Sequence, residues 1–478
     1  MKDKVLIVDM DNTILKTDLF YEMLFKFLKN NFFNIFKLIY LLVKTNKLYL
    51  KNYLANLYPL DISKIPINES VYSWIRDNKK KYTKVILCSG SPFSLVKKIT
   101  DQIKIIDDCY GTTDKINLIG INKVEFLKGK GIINFDYIGD SFRDIPLWKN
   151  CDKKIIVNCG LLKSFIYKII FGINFDQKIN SSVLKYIKSL LKLFRINQWV
   201  KNFLLLIHFI VLGKVLDFSY SLVIFFGFLF FSIASSFGYV INDLVDLEYD
   251  RGHATKKYRP FASADISPTH AHYILLVLIF LALLNSVFLI SDYLSFILFS
   301  ILYVFLSINY SFFLKNIKYL DCYALSFFFA YRIFAGSLLD LDNNISIYLL
   351  CYSILIFYSL ATMKRYIEIK NSTFLEVIGR PYSKNDLKMT LIQGLSALLF
   401  SVIFLIIFSE SISIFNNIDL NLLLSVTVFY LWIFYLWYQV IFSKNDFDLV
   451  VYSYSNILSC CLIIIFLGLF FVHNYMKL

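Results

Sequence analysis

Three aspartates recur at short intervals between Asn242 and Asp250. Asp243, Asp246 and Asp250 are spaced three and four residues apart, so an α-helix would place them on one narrow face. Like charges on one face repel each other unless a cation lies between them, and a ligand set made only of oxygen atoms suits Mg²⁺. The bases that follow directly are Arg251, Lys256, Lys257 and Arg259. Acids for a metal beside bases for phosphate predict a Mg²⁺ site that binds a pyrophosphate-bearing substrate, rather than a solvated acidic loop.

A second set of acids follows short apolar runs near the N-terminus. The run Val5-Leu6-Ile7-Val8 is typical of a buried strand and leads to Asp9 and Asp11. Two later apolar runs end in Ser89-Gly90-Ser91-Pro92 and in Gly139-Asp140-Ser141-Phe142-Arg143-Asp144, and Lys123 lies between them. In an open α/β sheet, ligands bind at the carboxyl ends of the strands. The acids, hydroxyls and lysine are therefore predicted to form a site for phosphate and Mg²⁺.

This ordered set resembles the haloacid dehalogenase (HAD) superfamily of phosphohydrolases over about residues 3–160. The resemblance implies that Asp9 is the nucleophile that forms an aspartyl-phosphate and that Asp11 is the general acid and base. It also implies that Thr13 supports the first loop, and that Ser89 and Lys123 hold the transferring phosphoryl group. The implied Mg²⁺-site residues are Asp9, Asp11, Asp140 and Asp144.

One position departs from the HAD pattern. Asn12 stands where that superfamily usually has Gly, and Asn tolerates the left-handed backbone angles of such a turn better than most residues. We therefore expect the turn to be preserved. A HAD fold that has lost catalysis and serves docking or regulation is the alternative.

The segment from Asn242 to Asp250, with Arg259-Pro260-Phe261-Ala262-Ser263 after it, resembles the first aspartate motif of the UbiA family of intramembrane prenyltransferases. The resemblance covers about residues 190–475. Ordinary members carry a second motif, DxxxD, for the prenyl diphosphate, whereas here Leu325 stands at the position of the second acid after Asp321. Arg332 lies eleven residues after Asp321 on the same helical face. One acid with one arginine suits a monophosphate better than a second Mg²⁺-diphosphate.

Three further segments resemble the decaprenyl-phosphate phosphoribosyltransferase branch of that family. They are residues 195–202, Lys364-Arg365 with Glu368, and Gly379-Arg380-Pro381-Tyr382. Enzymes of that branch transfer 5-phosphoribose from phosphoribosyl pyrophosphate to a polyprenyl phosphate and release pyrophosphate. The resemblance implies that the sugar diphosphate, not the lipid, occupies the aspartate–Mg²⁺ site. The candidate substrate-binding residues of this part are Lys201, Asn202, Asn242, Arg259, Lys315, Asp321, Arg332, Lys364 and Arg365. Some of these bases are also explained as ordinary positive residues at the cytoplasmic ends of helices.

Two functions are open at this point. In the first, a phosphoribosyltransferase is joined to a HAD phosphatase that removes the 5-phosphate of the product, for example on the way to an arabinose donor for cell-wall or surface-glycan synthesis. In the second, a UbiA-type prenyltransferase moves a prenyl group from a prenyl diphosphate to an aromatic or other small acceptor, and the HAD domain is regulatory. The missing second acidic motif favours the first.

Composition predicts where such a protein acts. The chain has 478 residues, 57% of them hydrophobic, and a mean hydropathy of +0.59, an excess that needs lipid as solvent and indicates a polytopic membrane protein. The net charge of +15 fits Lys and Arg in cytoplasmic loops beside anionic lipid rather than nucleic acid. Loops 242–269, 313–320 and 364–386 are basic, so we expect them and the N-terminal domain to face the cytoplasm of a bacterial inner membrane. The eight cysteines are scattered and predict no disulfide framework. A homo-oligomer is left open.

The elements that must position these residues fall into two domains. Residues 1–160 are predicted to form an α/β, Rossmann-like HAD domain with a helical cap at about 18–80. Residues 161–190 are predicted to be an amphipathic linker, and 191–478 an all-α polytopic membrane bundle. The stretch from Phe32 to Val43 is too short to span a bilayer and is predicted to be a cap helix or an interfacial helix. About nine transmembrane helices are predicted, near 199–213, 220–241, 270–290, 293–312, 321–339, 346–364, 387–409, 420–441 and 449–472.

Overall fold

The chain forms two compact units in a computed structural model. That structure describes residues 4–30, 34–45, 47–57, 60–113, 116–180, 182–253, 255–341, 345–372, 380–409, 420–442, 452 and 455–475. The sheet unit consists of Met1–Arg195 and Tyr239–Leu276, and the helical unit consists of Ile196–Gly238 and Val277–Leu478. The segment from Asn242 to Asp250 therefore belongs to the sheet unit, although the sequence predicts it within a separate domain 191–478.

A six-stranded sheet forms the centre of the sheet unit. Its strands are β1 (Val5–Val8), β2 (Lys84–Pro92), β3 (Asp108–Thr112), β4 (Phe135–Gly139), β5 (Lys154–Val157) and β6 (Gln177–Ile179). All neighbours are parallel, and their order is β3-β2-β1-β4-β5-β6. In the register of the central strands, Ile7 pairs with Ile86 on one side and with Tyr137 on the other. The predicted α/β class is confirmed, and the three strand ends that carry polar residues are adjacent.

The inner strands β1, β4 and β5 are buried on both faces, as expected for a parallel sheet covered by helices. Leu6 and Val8 face one apolar core, and Ile7 faces the other, together with Trp148. The helices of this part are α1 (Leu19–Asn30), α2 (Asn34–Lys44), α3 (Lys47–Leu57), α4 (Glu69–Asn78), α5 (Phe93–Gln102), α6 (Ile121–Gly129), α7 (Ile145–Asn150), α8 (Leu161–Phe171) and α9 (Val183–Leu193).

Four helices, α1 to α4, lie between β1 and β2, where the sequence predicts a helical cap. Within this insertion, α2 buries Leu38 and Leu41 and leaves Phe36 and Val43 exposed. An apolar exposed side is compatible with both predictions for this stretch, a cap helix and an interfacial helix.

The predicted linker 161–190 is partly built into the sheet. Strand β6 pairs in parallel with β5, with Ile156 opposite Lys178, and α8 connects the two strands. Helix α8 still has an amphipathic character, since it buries Tyr167 and exposes Leu161 and Ile170. The sheet therefore continues beyond residue 160, because a three-residue strand completes its edge.

Six helical stretches are long and apolar enough to cross a membrane, by length and composition and within the residues that the structure describes. They are Phe218–Val245, Pro268–Ser286, Leu294–Asn316, Ile347–Lys370, Lys384–Ile407 and Leu420–Phe442. The remaining α-helices within the described residues are α10 (Ile207–Val211), α11 (Phe218–Val245), α12 (Leu247–Gly252), α13 (Ala271–Ser286), α14 (Leu294–Phe312), α15 (Leu320–Ser337), α16 (Ile347–Lys370), α17 (Leu387–Ile407), α18 (Leu420–Phe442) and α19 (Ile457–Tyr475).

The prediction of nine spans is not confirmed. The predicted span 199–213 is not among the six, because the chain there forms a 3₁₀ segment, Ile196–Leu206, followed by the five-residue helix α10. Two other predicted spans correspond to α15 and α19, which are not among the six.

The 3₁₀ segment Ile196–Leu206 packs closely against α15 in the helical unit. A Cβ atom added at Gly336 would overlap the backbone carbonyl of Leu205. Only glycine permits this approach, which brings Asn202 next to Arg332.

Candidate active sites

Asp9 lies at the carboxyl end of the central strand β1. Its backbone N–H donates to the carbonyl of Ile138 on β4 at 2.9 Å, and its carboxylate oxygen Oδ1 accepts a hydrogen bond from Lys123 Nζ at 2.6 Å. Lys123 comes from the first turn of α6, and its charged side chain is almost completely buried. A buried ammonium needs a partner of opposite charge, so Lys123 holds the carboxylate of Asp9 in place at the carboxyl end of β1.

Two further carboxylates stand beside Asp9. One carboxylate oxygen from each of Asp9, Asp140 and Asp144 lies within 4.8 Å of the others. Burial together with the neighbouring acids raises the pKa of Asp9 to about 7, against the opposing charge of Lys123, and raises the pKa of Asp140 well above its usual value. A divalent cation would relieve this crowding, and three oxygen ligands fit Mg²⁺.

Glycine is required at the end of β4 for this geometry. A Cβ atom on Gly139 would lie 2.7 Å from Asp144 Oδ2. That oxygen accepts the backbone N–H groups of Asp140 and Ser141 at 3.2 and 3.0 Å. The tight turn therefore holds two of the three acids in place.

Asp11, predicted as acid–base group and as metal ligand, lies outside the group of three acids. Its Oδ2 accepts hydrogen bonds from Ser89 Oγ at 3.1 Å and from Ser91 Oγ at 2.7 Å, and its Oδ1 accepts the N–H of Leu19 at 3.0 Å. These contacts turn its carboxylate toward β2 and the cap. Ser89 is among the predicted site residues and Ser91 is not. Because the two serines are two residues apart on β2, they lie on the same face of the strand, and this alternation is the signal that points to Ser91.

The loop after β1 has the backbone expected for it. Asn12 has φ = +54°, in the left-handed region that the sequence predicts, and its N–H donates to the carbonyl of Thr17 at 3.0 Å. Thr13 is fully buried, and its hydroxyl has no hydrogen-bond partner among the described residues. The turn is thus preserved without Gly.

The aspartates of the second motif lie where α11 passes into α12. Asp243 belongs to the last turn of α11, Asp246 is the residue between the two helices, and Asp250 lies in α12. The i to i−4 backbone bonds continue, from Asp246 N–H to the carbonyl of Asn242 at 3.0 Å and from Asp250 N–H to the carbonyl of Asp246 at 2.8 Å. The helical spacing predicted from the sequence is therefore kept through the junction.

Two arginines bind the acids of this segment. Arg259 Nη1 donates to Asp250 Oδ2 at 2.6 Å and to Asp243 Oδ1 at 3.2 Å, and Arg195 donates to the same Asp243 oxygen. Asp243 and Asp250 are only 2% and 1% exposed. Burial raises the pKa of Asp250 to about 6, although the guanidinium of Arg259 opposes the shift.

This acid cluster fits a cation in one further respect. Asp250 Oδ1 is buried and has no hydrogen-bond partner in the described part of the chain. The predicted phosphate ligand Arg259 here bridges the acids, and its side chain is 26% exposed. Oxygen donors beside a partly accessible guanidinium are the groups that bind Mg²⁺ and a pyrophosphate.

A third cluster surrounds Asp321 in the helical unit. Asp321 lies in the first turn of α15 and is completely buried. Its Oδ2 forms an ion pair with Arg365 Nη2 at 2.6 Å, and its Oδ1 accepts the hydroxyl of Tyr382 at 2.5 Å. Arg380 Nη1 lies 4.0 Å from Oδ2, and Arg365 also pairs with Glu368. Arg380 and Tyr382 belong to the segment Gly379-Arg380-Pro381-Tyr382 noted above, although neither is among the predicted site residues.

Arg332 does not join the Asp321 cluster. Its three donor groups bind Asn202 Oδ1 at 3.0 Å, the hydroxyl of Tyr303 at 2.6 Å and the carbonyl of Phe328 at 2.6 Å. Eleven residues of helix separate Asp321 and Arg332 by about 16 Å, so a shared face does not bring them into contact. Asp321 and Arg332 therefore do not contact each other, and Arg365 is the basic partner of Asp321.

The other predicted phosphate ligands differ in their surroundings. Lys315 is buried and its carbonyl accepts Arg380 Nη1 at 3.4 Å. Lys201 is half-buried and donates to Gln198 at 3.4 Å, whereas Lys364 is exposed. Lys315 thus lies close to the residues around Asp321.

Residues 203–473 match the UbiA prenyltransferase family. Since this is more than half of the chain, the chain belongs to that family. Its apolar helices and this membership make it an integral membrane transferase.

Three known proteins illustrate what the chain is similar to. It is 29% identical over 417 residues to the uncharacterized protein y4nM of Sinorhizobium fredii. The aligned region covers 84% of this chain and 77% of that protein. It is 32% identical over 154 residues to decaprenyl-phosphate phosphoribosyltransferase of Mycolicibacterium smegmatis. The aligned region covers 31% of this chain and 48% of that protein. A UbiA homologue from Archaeoglobus fulgidus, solved with DMAPP and Mg²⁺, aligns with a TM-score of 0.45 and 15% identity over 60% of this chain and 98% of that one.

Proposed function

We propose that the protein transfers 5-phosphoribose from phosphoribosyl pyrophosphate to a polyprenyl phosphate and releases pyrophosphate. The Asp321 cluster carries this proposal, because Arg365 and Arg380 lie near one carboxylate and Leu325 replaces the second. Arginines around a single acid suit a phosphate monoester rather than a Mg²⁺-bridged diphosphate. The partial similarity to decaprenyl-phosphate phosphoribosyltransferase supports the same substrate class.

In this proposal Asp243, Asp246 and Asp250 bind the pyrophosphate end of the donor. Mg²⁺ held by these acids supplies the charge neutralisation that makes pyrophosphate a better leaving group. Arg259 donates to the pyrophosphate oxygens, and the bond between pyrophosphate and the anomeric carbon breaks as an oxygen of the lipid phosphate forms the new bond. The bases that hold the acceptor phosphate are Lys315, Arg365 and Arg380, with Lys201 and Lys364 as further candidates.

We also propose that the sheet unit is a HAD-type phosphatase that removes the 5-phosphate of the transferred ribose. The three converging carboxylates and the buried Lys123 support this role. Asp9 attacks the phosphorus, and Asp11 protonates the ribose oxygen that leaves; Asp11 then takes a proton from the water that releases inorganic phosphate. Loss of the 5-phosphate makes the transfer hard to reverse.

A donor assay on membranes tests the transferase proposal. Phosphoribosyl pyrophosphate labelled in the ribose is expected to label lipid when polyprenyl phosphate is supplied, and Asp246→Asn is expected to reduce the label strongly. Unlabelled lipid, combined with prenylation of an aromatic acceptor from a prenyl diphosphate, would establish the second candidate, a UbiA-type prenyltransferase with a regulatory sheet unit. That candidate follows from the family itself.

Phosphate release tests the phosphatase proposal. The purified chain is expected to release phosphate from polyprenyl-phosphoribose 5-phosphate, and Asp9→Asn to lower the rate at least about a hundredfold, since it removes the nucleophile. Asp77→Asn is a matched control, because Asp77 lies on the surface of α4. Equal release by the Asp9→Asn variant and the wild type contradicts the proposal.

The proposed location is a bacterial cytoplasmic membrane, with the sheet unit and the basic loops on the cytoplasmic side. The bias of Lys and Arg in the loops supports this orientation. Phosphoribosyl pyrophosphate is a soluble polyanion, so its binding site must face the compartment where it is made.

A further inference from the structure

A buried ion pair connects the cap of the sheet unit to the aspartate-bearing helix α12. Arg251 Nη1 donates to Glu22 Oε2 at 2.9 Å, and Arg251 Nη2 donates to Glu22 Oε1 at 2.7 Å. The two side chains are only 6% and 4% exposed. A bidentate pair of this kind fixes both position and angle, and loss of one member leaves the other charge buried without compensation.

Arg251 is also tied to the segment that carries Arg259. Its Nε donates to the carbonyl of Ala262 at 3.1 Å. Arg251 directly follows Asp250 in α12, and Arg259 binds Asp250 from the other side. The guanidinium of Arg251 therefore holds both chain segments that form the acid cluster.

Glu22 is linked in turn to the loop that follows Asp9. The hydroxyl of Thr17 donates to Glu22 Oε1 at 2.5 Å, and the carbonyl of Thr17 accepts the N–H of Asn12 at 3.0 Å. A second connection runs from Ser267 Oγ to Asn12 Oδ1 at 2.7 Å. Two hydrogen-bonded routes thus join the loop of Asp9 to the segment 242–269.

We propose that Glu22 and Arg251 are positioning residues for the transferase site, through which the N-terminal fold sets the place of Asp250. This inference rests on the proposed function, since it assigns Asp250 to pyrophosphate binding. Displacement of a binding group by about 1 Å costs of order a hundredfold in rate, so a buried bidentate pair next to Asp250 is well suited to control this reaction. The sheet unit then takes part in transfer even when its own Asp9 is not reacting.

A weaker bridge between the same two helices provides a control. Lys26, one turn after Glu22 on α1, contacts Glu248 of α12 at 3.0 Å, and these side chains are 23% and 42% exposed. Ion pairs this accessible to solvent contribute little. Each of the variants Lys26→Gln and Glu22→Gln removes one ion pair between α1 and α12. The pair removed by Lys26→Gln is partly exposed, whereas the pair removed by Glu22→Gln is buried.

The test uses the full-length protein in detergent or nanodiscs. For Glu22→Gln we expect KM for phosphoribosyl pyrophosphate and the Mg²⁺ concentration for half-maximal transfer to rise at least about tenfold, while hydrolysis of para-nitrophenyl phosphate stays within about threefold of the wild type. For Lys26→Gln we expect changes below twofold in all three quantities. The reversed pair Glu22→Arg with Arg251→Glu is expected to recover part of the transfer lost in either single variant.

The outcomes separate this inference from the function beneath it. A wild type that does not transfer label from phosphoribosyl pyrophosphate overturns the proposed function. A wild type that transfers, beside a Glu22→Gln variant with unchanged KM and Mg²⁺ dependence, overturns only the inference. A proportional loss of transfer and hydrolysis, with a lower melting temperature, assigns the pair a purely structural role and also overturns it. If Glu22→Gln does not fold, Glu22→Asp is measured against the same values.

Discussion

At the scale of single residues, both oxygens of Asp321 are already occupied. Tyr382 donates to Oδ1, and Arg365 Nη2 forms an ion pair with Oδ2 at 2.6 Å, so both carboxylate oxygens face a partner from the chain itself. The basic neighbours offer the remaining donors: Arg380 is partly exposed, and Arg365 Nε is buried without a hydrogen-bond partner among the described residues. Asp321 is therefore best explained as the residue that orients Arg365.

Tyr382→Phe tests this arrangement. Removing the hydroxyl leaves Asp321 Oδ1 buried without a donor, which costs about 1–3 kcal/mol and loosens Arg365. We expect KM for polyprenyl phosphate to rise about tenfold, with KM for phosphoribosyl pyrophosphate nearly unchanged. Tyr438→Phe is the matched control, because Tyr438 is exposed on α18. Equal effects on both KM values would show that Tyr382 does not act at the acceptor site.

The sequence predicted residue positions better than residue partners. Asp9, Asp140 and Asp144 were placed together because the carboxyl ends of parallel strands meet at one edge of a sheet. The shared helical face of Asp321 and Arg332 does not indicate the partners of Arg332, which are Asn202, Tyr303 and Phe328. Arg365 and Tyr382 reach Asp321 from other segments of the chain, and single-sequence patterns carry no signal for such contacts.

At the scale of elements, the close packing of α15 against the 3₁₀ segment Ile196–Leu206 depends on Gly336. The predicted span 199–213 covers most of this 3₁₀ segment and α10, and apolar composition alone does not distinguish one long helix from two short helical segments. Strand β6 was missed for a similar reason, since three residues are too few to produce a recognisable alternation.

Gly336→Ala is expected to destabilise the protein. The new methyl group would overlap the backbone of Leu205, and overpacking against backbone costs about 1–3 kcal/mol or more. Gly468→Ala on α19 is the control, because no other atom lies within 4 Å of its added Cβ and Ala is the better helix former. Thermal unfolding in detergent should show a lower Tm for the first variant alone. A Tm equal to that of the wild type would mean that α15 and the 3₁₀ segment separate easily.

At the scale of the whole molecule, the proposed function places Mg²⁺ at two acid clusters, of which Asp9, Asp140 and Asp144 bring three carboxylate oxygens within 4.8 Å of one another. Chelation with EDTA is expected to abolish both transfer and phosphate release, and Mg²⁺ to restore both. A bound ion also stabilises the folded state in proportion to its occupancy, so Mg²⁺ should raise the Tm, and Asp144→Asn should reduce that rise. Activity that persists in EDTA would exclude the proposed role of Mg²⁺ for the reaction concerned.

The sheet unit is discontinuous in sequence, since it combines Met1–Arg195 with Tyr239–Leu276. A gene fragment that stops at residue 195 would encode a complete set of strands but would leave the carboxylate of Glu22 without Arg251. The reciprocal fragment would expose the guanidinium of Arg251. A chain break at residue 195 would therefore leave one buried charge without its partner on each fragment, so we expect both fragments to be less stable than the same segments in the full-length chain.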